Sequence, residues 1–189
     1  MCLNSWYIDL LLSADCPKYV PTYLEPMENK TVVTQVQTLD LAAIQPLVEE
    51  NTAEGWLFLG KAVLAYEDGR NRFEKPGEAL FIARQDNVII GLGGLNVDPY
   101  LGDPRIGRVR HVHVLKAWRG HGVGHLLLAS IMNHARQEFK LLTLRTSNPV
   151  ADRFYRKLGF VSVPAINNAT HHLQLTSTTY LPRKVSSED

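Results

Sequence analysis

One segment near the middle of the chain constrains the fold more than any other, a strand that runs through a glycine-rich turn into a long helix. Arg108–Leu115 alternates in character, Arg119–Gly124 contains three glycines, and Gly122–Phe139 carries an apolar stripe at helical spacing. The first turn of a helix leaves backbone N–H groups unpaired, and glycine lets an anion approach them closely. The sequence therefore predicts a local anion-binding site at this turn.

The spacing within the turn narrows the kind of phosphate ligand. The turn follows the pattern R-x-x-G-x-G, with Arg119, Gly122 and Gly124 at the fixed positions. A dinucleotide fingerprint would need a glycine where His125 stands, and a P-loop would need Gly-Lys followed by Ser or Thr. Both nucleotide motifs are therefore excluded, and the anion site belongs to another class.

The charge of the whole chain gives no sign of such a site. Twenty Lys and Arg against nineteen Asp and Glu leave a formal net charge of +1 over 189 residues, which excludes a diffuse basic surface and general nucleic-acid binding. The only cysteines, Cys2 and Cys16, lack the spacing and partners of a thiolate zinc site. No apolar run reaches the ~18–20 residues of a membrane span. We expect a cytoplasmic protein with neither nucleic-acid nor membrane partners.

The hydrophobic pattern divides the chain into an extension, one domain and a tail. Residues 1–30 are expected to be irregular, with Met27 as an alternative natural start, and residues 181–189 form a polar tail. Residues 31–180 form one domain with the element order β-α-α-β-β-β-α-β-α-β-β, which is typical of an α+β fold with a mixed central sheet flanked by helices. The predicted strands are Thr31–Gln37, Ala79–Arg84, Val88–Leu95, Arg108–Leu115, Leu141–Arg145, Phe160–Val163 and His171–Leu175. The predicted helices are one capped by Thr38 and kinked at Pro46, then Ala53–Tyr66, Gly122–Phe139 and Asn148–Lys157.

A second motif follows one helix and one strand after the turn. It has the form N-x-x-A-x-x-F-Y-x-x-L-G-F and comprises Asn148, Ala151, Phe154, Tyr155, Leu158, Gly159 and Phe160. Together with the R-x-x-G-x-G turn, which begins five residues after Val114, this motif resembles the GNAT superfamily of acyl-CoA-dependent N-acyltransferases. The resemblance covers about residues 31–176, although residues 38–78 match it only in general layout.

The resemblance implies a binding mode for acetyl-CoA. In the family, the strand before the turn splays away from its parallel neighbour, and the pantetheine arm of the cofactor enters the opening between the splayed strands. The residues implied to bind the cofactor are Val112, His113 and Val114 through the main chain, Arg119, Gly120, His121, Gly122, Val123 and Gly124 around the pyrophosphate, and Asn148 and Tyr155 on the other wall. No metal is expected.

The catalytic residues are less completely specified. The resemblance implies that Tyr155 is the general acid for the departing thiolate, since a phenol can donate a proton to a thiolate with little pKa mismatch. Some relatives place a glutamate base twelve residues before this tyrosine, but Thr143 stands there in this chain. His111 and His113 are the nearest titratable candidates for the base. Period-two alternation places both on one face of the strand, opposite Val112 and Val114.

The expected function is transfer of acetyl from acetyl-CoA to a primary amine by direct attack. No cysteine lies near the motifs to form an acyl-enzyme. The acceptor, a small molecule or a peptide, is not specified by the sequence, and the protein is expected to be a monomer or a homodimer. Two alternatives stay open. The first is an acyltransferase with a longer acyl donor or a hydroxyl acceptor, and the second is a non-catalytic acyl-CoA-binding sensor or regulatory module.

Overall fold

The computed structural model describes residues 30–166 and 168–175. Residues 1–29 of the predicted extension and the predicted tail 181–189 lie outside the described residues. The domain has the predicted order of elements. The strands are β1 (Val32–Val36), β2 (Ala79–Gln85), β3 (Val88–Val97), β4 (Ile106–Val114), β5 (Leu141–Leu144), β6 (Val161–Ile166) and β7 (Ala169–Gln174). The helices are α1 (Gln45–Ala53), α2 (Phe58–Glu67), α3 (Val123–Glu138) and α4 (Pro149–Lys157).

The seven strands form one mixed sheet with the order β1-β2-β3-β4-β5-β7-β6. Neighbouring strands are antiparallel except for β4 and β5, which run parallel in the middle of the sheet. The parallel pairing is short, because it joins Ile106 to Leu141, Gly107 to Leu142 and Arg108 to Thr143 and then stops. Beyond Arg108, β4 has no partner on this edge among the described residues. The α+β fold with splayed central strands is therefore confirmed.

Helices cover both faces of the sheet and bury two hydrophobic clusters. On one face α3 packs through its apolar stripe, with Leu127, Leu128 and Ile131 fully buried against β2 and β3. On the other face α1 and α2 contribute Leu47 and Leu59 to a second cluster. Amphipathic helices bury apolar area in this way to stabilise the sheet between them. Among the described residues, no helix combines the length and the apolar character that crossing a bilayer requires.

Two predictions about the first helices are wrong. The helix predicted to be capped by Thr38 begins at Gln45, so Pro46 lies in its first turn. Proline causes no kink there, because the backbone N–H groups of a first turn have no hydrogen-bond partner within the helix. The single helix predicted for Ala53–Tyr66 is split, because Gly55 adopts a φ of +82° and ends α1 before α2 starts. Trp56 lies in the connection between α1 and α2 and is 37% exposed.

Close packing explains the glycines in β3, and it also distorts β4. A Cβ atom placed on Gly94 would lie 2.5 Å from the ring of Phe73, so a side chain has no room there. Opposite this strand, β4 carries a bulge between Arg110 and His113, since these residues pair with Gly94 and Leu92 on β3. Within the bulge His111 has a φ of +57°. That conformation is uncommon for a non-glycine residue and is a local strain often found near functional sites.

Candidate active site

The divergence of β4 from β5 opens a cavity of about 750 Å³ in the middle of the domain. Its long wall is the part of β4 from Val109 to Val114, and its far wall runs from Leu144 to Asn148 and along α4. The backbone of β4 facing the opening has no strand partner among the described residues, so its N–H and C=O groups are available to an extended ligand. The volume suits an organic cofactor rather than an ion.

The glycine turn closes one end of this cavity. Gly120, Gly122 and Gly124 line it, and α3 starts at Val123 without a side-chain cap, its first internal bond running from the Leu126 N–H to the Gly122 carbonyl. Gly122 has a φ of +82°, a left-handed conformation that favours glycine. Val123 buries its side chain in the core and His121 lies exposed, so neither predicted residue is among those that line the cavity. The turn is thus an uncapped helix N-terminus directed at a cavity, which suits an anion.

Arg119, the charged member of the turn motif, is already paired in this structure. Its Nε donates to the Val114 carbonyl at 2.8 Å, and its terminal nitrogens contact Glu54 at 2.6 and 2.9 Å and Glu50 at 3.3 Å. The guanidinium holds the pKa of Glu54 below its ordinary value through the hydrogen bond and its charge. An anion at the turn would therefore compete with two carboxylates for this arginine.

The same carboxylates form, with His113, the one group of metal-ligating side chains found in the described part of the chain. Their candidate ligand atoms lie within 4.8 Å of one another. The Arg119 guanidinium already supplies the positive charge at this place, with two hydrogen bonds to Glu54. The geometry of the group is accounted for by this ion pair.

The second sequence motif places Asn148 and Tyr155 on the far wall. Asn148 is the N-cap of α4, and its Oδ1 accepts from the N–H groups of Val150 at 2.8 Å and Ala151 at 3.4 Å, so part of the motif serves helix capping. Tyr155 lines the cavity and is largely buried. Burial raises the pKa of its hydroxyl above the ordinary value of 10. The phenol therefore stays protonated at neutral pH, and full loss of its proton is harder than for a phenol in water.

A buried polar chain supports the wall beneath Tyr155. His171 is only 2% exposed. Its Nε2 lies 3.0 Å from Asp152 on α4, and its Nδ1 lies 2.9 Å from the Thr170 hydroxyl. The ring of His171 packs 6.3 Å from that of Tyr155, centroid to centroid. This chain ties α4 to β7 and holds the motif helix in place.

His111 and His113 lie on the sheet face covered by α1 and α2, as the alternation predicts, and both rings contact Phe58. Val112 and Val114 pack against the cluster on the opposite face. His111 lines the cavity and has no hydrogen-bond partner among the described residues. Burial and the charge of Arg110 lower its pKa to about 4, so it is neutral at physiological pH.

His113 is hydrogen-bonded at Nδ1, whereas its buried Nε2 lies near a carboxylate without forming a hydrogen bond. Asn51 is fully buried, and its Oδ1 accepts from the Leu59 N–H at 3.2 Å, which directs its Nδ2 to His113 Nδ1 at 3.4 Å. The proton of neutral His113 is then on Nε2, which lies 3.4 Å from Glu50. Burial and Arg119 lower the pKa of His113, although both nearby carboxylates raise it.

Thr143, at the position where some relatives carry glutamate, belongs to a buried structural group. Its hydroxyl donates to Asp98, which also pairs with Arg108 at 3.1 Å. Arg108 further donates to the Asn168 carbonyl at 2.7 Å and lies over the ring of Tyr100. This position therefore has no free base.

Sequence reasoning missed the contribution of α1 and the position of Arg110. Glu50 and Glu54 are like charges four residues apart near the C-terminus of α1, an arrangement that is unfavourable on an isolated helix. That pattern indicates an external cation, and Arg119 supplies it. Arg110 also lines the cavity, and nothing in the local sequence distinguishes it from the arginine two residues earlier.

The cavity thus has two sides of different composition. We call the first the turn side, formed by Val112–Val114, Arg119–Gly124, Asn148 and Tyr155. We call the second the histidine side, formed by Glu54, Trp56, Phe58, Arg110 and His111. The turn side presents backbone amides and a phenol, and the histidine side presents aromatic and charged side chains.

Comparisons with known proteins identify the family and the fold. Residues 41–160 match the sequence profile of the acetyltransferase (GNAT) family. A solved structure from Exiguobacterium sp. 255-15, described provisionally as an acetyltransferase, is 32% identical over 77% of this chain and 93% of its own, with a TM-score of 0.69. A structure from Salmonella typhimurium, solved with acetyl-CoA, shares the fold at 17% identity and a TM-score of 0.61, over 80% of this chain and 97% of its own.

Two curated proteins are similar in sequence. A mycothiol acetyltransferase from Kocuria rhizophila is 31% identical over 116 residues, which are 59% of this chain and 38% of that protein. An amino-acid acetyltransferase from Mycobacterium tuberculosis is 27% identical over 145 residues, which are 73% of this chain and 72% of that protein. The chain thus spans less than half the length of the first relative. With the family profile covering more than half of the sequence, the chain belongs to the GNAT acetyltransferases, acyl-CoA-dependent transferases that use acetyl-CoA.

Proposed function

We propose that this chain transfers the acetyl group of acetyl-CoA to a primary amine by direct attack within a ternary complex. The observation that carries the proposal is the opening between β4 and β5, which stops pairing at Arg108 and Thr143 and joins the turn to Tyr155 in one cavity. The names of the two curated relatives agree with acetyl transfer.

The turn side fits coenzyme A. The free amides at the start of α3 and the glycine turn would hold the pyrophosphate, since both present N–H groups without bulky side chains. The unpaired edge of β4 from Val112 to Val114 would accept the pantetheine arm as an added strand. An N–H of this edge would also stabilise the negative charge that develops on the acetyl oxygen.

The reaction forms one bond and breaks one. The amine nitrogen bonds to the acetyl carbonyl carbon, the carbon–sulfur bond breaks, and the amine gives up a proton while the departing sulfur gains one. Tyr155 supplies the hydrogen bond or proton to the sulfur, because its raised pKa keeps the hydroxyl protonated.

Of the two histidines, His111 is the better placed to take the proton of the amine. Its ring faces the cavity without a partner in the described part of the chain, whereas His113 is held by Asn51 and Glu50. With a pKa of about 4, His111 cannot deprotonate an ammonium group in the resting complex. It can accept the proton only as the N–C bond forms and the nitrogen becomes acidic.

Two measurements test the function. Thermal unfolding with CoA and acetyl-CoA should give a higher Tm than without them, by mass action. Release of free thiol from acetyl-CoA should then depend on an added amine. Absence of any Tm shift at ligand concentrations well above micromolar would reject the CoA site.

The sensor alternative has one observation in its favour, the absence of a strong base at Thr143 and His111. It predicts a Tm shift with acetyl-CoA and no thiol release across a broad panel of amines and alcohols. Thiol release with longer acyl-CoA donors or with alcohols alone would instead support the acyltransferase with a different donor or acceptor.

A further inference from the structure

Four arginines line the cavity, and three of them are paired. Arg108 binds Asp98, Arg119 binds Glu54, and Arg145 donates to Asn168 Oδ1 at 2.5 Å. Arg110 makes neither a hydrogen bond nor a salt bridge to any described residue. It is therefore the one cavity arginine, within residues 30–166 and 168–175, whose five donors remain available.

The surroundings of Arg110 offer it no free anion. The two carboxylates whose charges reach it are Asp98 and Glu78. Asp98 is bound by Arg108 and Thr143, and Glu78 accepts from the N–H groups of Val97 and Lys75. Both are thus committed to structural bonds.

Arg110 is also half-buried, so its charge is costly to leave alone. Burial is the main cause that lowers its pKa, and the neighbouring Arg108 adds to it, yet a guanidinium stays charged in proteins. A partly desolvated cation without a partner is destabilising unless a ligand supplies the counter-charge. Proteins rarely keep such a group in a cavity without a use for it.

We propose that Arg110 binds a carboxylate group of the acceptor, so that the substrates of this enzyme are amines that carry a carboxylate, as amino acids do. The proposal rests on the proposed transferase function and names the chemical class of its acceptor. Arginine suits the task because its planar fork matches a carboxylate with two parallel hydrogen bonds.

The position of Arg110 relates the carboxylate to the reacting amine. It immediately precedes His111 on β4, so the two Cα atoms are about 3.8 Å apart, and the charge of Arg110 is one cause of the low pKa of His111. Both side chains line the same cavity. An acceptor held by Arg110 therefore has its amine within a few bonds of its carboxylate. The negative charge of that carboxylate would offset the part of the lowered His111 pKa that comes from Arg110, while the larger part, which comes from burial, would remain.

The experiment compares matched acceptors with and without the carboxylate. Thiol release from acetyl-CoA is measured with the common α-amino acids, β-alanine and γ-aminobutyrate, and with the corresponding amino amides, in wild type, Arg110→Gln and Arg110→Lys. Arg70→Gln is the control, because it removes the same charge from an exposed arginine that pairs with Asp68 outside the cavity. A Tm shift with CoA in each variant checks that the donor site is folded.

We expect kcat/KM for the best amino acid to exceed that for its amide in wild type. In Arg110→Gln, kcat/KM for the amino acid should fall by about tenfold to a hundredfold, the range for a charge-assisted hydrogen bond, with the amide almost unaffected. Arg110→Lys should retain part of the preference, and Arg70→Gln all of it.

Two results overturn the inference without touching the proposed function. One is turnover of amides, or of amines without a carboxylate, at least as fast as of every amino acid. The other is an equal loss for both kinds of acceptor in Arg110→Gln. Failure of thiol release with every acceptor, together with a normal CoA-induced Tm shift, overturns both the inference and catalysis, whereas absence of the Tm shift in wild type rejects the donor site itself.

Discussion

The turn side and the histidine side of the cavity present different kinds of chemical group to a ligand. On the turn side the ligand-facing groups are mainly backbone, namely the uncapped amides of α3 and the free edge of β4. On the histidine side they are side chains from separate elements, including Trp56 before α2 and Arg110 on β4. A site made from backbone needs a fixed local conformation, and therefore leaves a sequence motif. A site made from side chains needs only that residues distant in sequence meet in the fold, and such a site leaves no sequence motif.

This difference matches the two jobs of a transferase. Donor binding and acceptor binding are separate tasks, and one fold can combine the same donor with different acceptors. Separate perturbation of the two sides should therefore give separable effects.

Tyr155→Phe should cause the largest loss. It removes the hydroxyl proposed to donate to the departing sulfur and leaves the ring packing with Phe160 and His171 intact. We expect kcat to fall by about 10²- to 10⁴-fold, the usual contribution of a general acid, with little change in CoA affinity. Tyr66→Phe is the control, since its hydroxyl accepts from the Leu39 N–H and serves structure only. Unchanged kcat in Tyr155→Phe at all pH values would show that Tyr155 is not the acid.

Gly122→Val should damage the turn side alone. A Cβ at this position meets no protein atom within 4 Å, but φ is +82°, so the backbone must shift or carry strain of about 1–2 kcal/mol. Misplaced amides lose charge-assisted hydrogen bonds to the pyrophosphate, and we expect CoA affinity, measured by calorimetry, to fall by roughly a hundredfold. Gly69→Val, at a φ of +78° outside the cavity, carries similar strain. Equal CoA affinity in both variants would contradict the role of the turn.

The histidine side should be visible in the pH dependence of stability. The pKa of His111 is lowered to about 4 by burial and by Arg110, against about 6.5 in an unfolded chain. Between these values the unfolded state binds more protons, so the free energy of unfolding is highest above pH 6.5 and falls as the pH drops toward 4, by on the order of 3 kcal/mol.

His111→Asn should remove that part of the pH dependence, because asparagine tolerates the positive φ and does not titrate. Urea unfolding at pH 7.5 and pH 4.5 measures the difference, and His121→Asn, at an exposed histidine, serves as the control. If wild type and His111→Asn lose the same stability on acidification, His111 is not held neutral by its surroundings.

The smallest effect is expected where the two sides meet. Glu54→Gln weakens the ion pair between Glu54 and Arg119, which is partly exposed. The free energy of unfolding should therefore change by less than about 1 kcal/mol. The released arginine can turn to the pyrophosphate, and CoA should bind severalfold more tightly in calorimetry at low salt. Glu49→Gln, on the outer face of the same helix, should leave CoA affinity unchanged. Weaker CoA binding in Glu54→Gln would mean that the ion pair with Glu54 positions Arg119 for the cofactor.

The sequence predicted the order of every element and most of their limits, because the strands and α3 carry clear periodic patterns. The prediction from sequence failed around α1 and α2, where helix propensity is weak. There Pro46 is compatible with either a kink or a first turn, and only the packing of Leu47 and Leu59 decides where the helices begin and end. The burial of His171 has no signal in the local sequence, since it depends on Asp152 of α4 lying beside β7.

What the sequence alone predicted is the proposed donor half of the site, from Arg119–Gly124 through Asn148 to Tyr155. The local backbone geometry requires glycines, a helix-capping residue and an aromatic residue at fixed spacing, and that spacing can be read directly from the sequence. Only the tertiary structure decided that Arg119 meets Glu50 and Glu54, that His111 lies beside Phe58 with its charge suppressed, and that Arg110 lines the cavity without a hydrogen bond or salt bridge to any described residue. The electrostatic environment of a charged side chain depends on all the residues that surround it in space. In this protein those residues lie tens of positions apart along the chain.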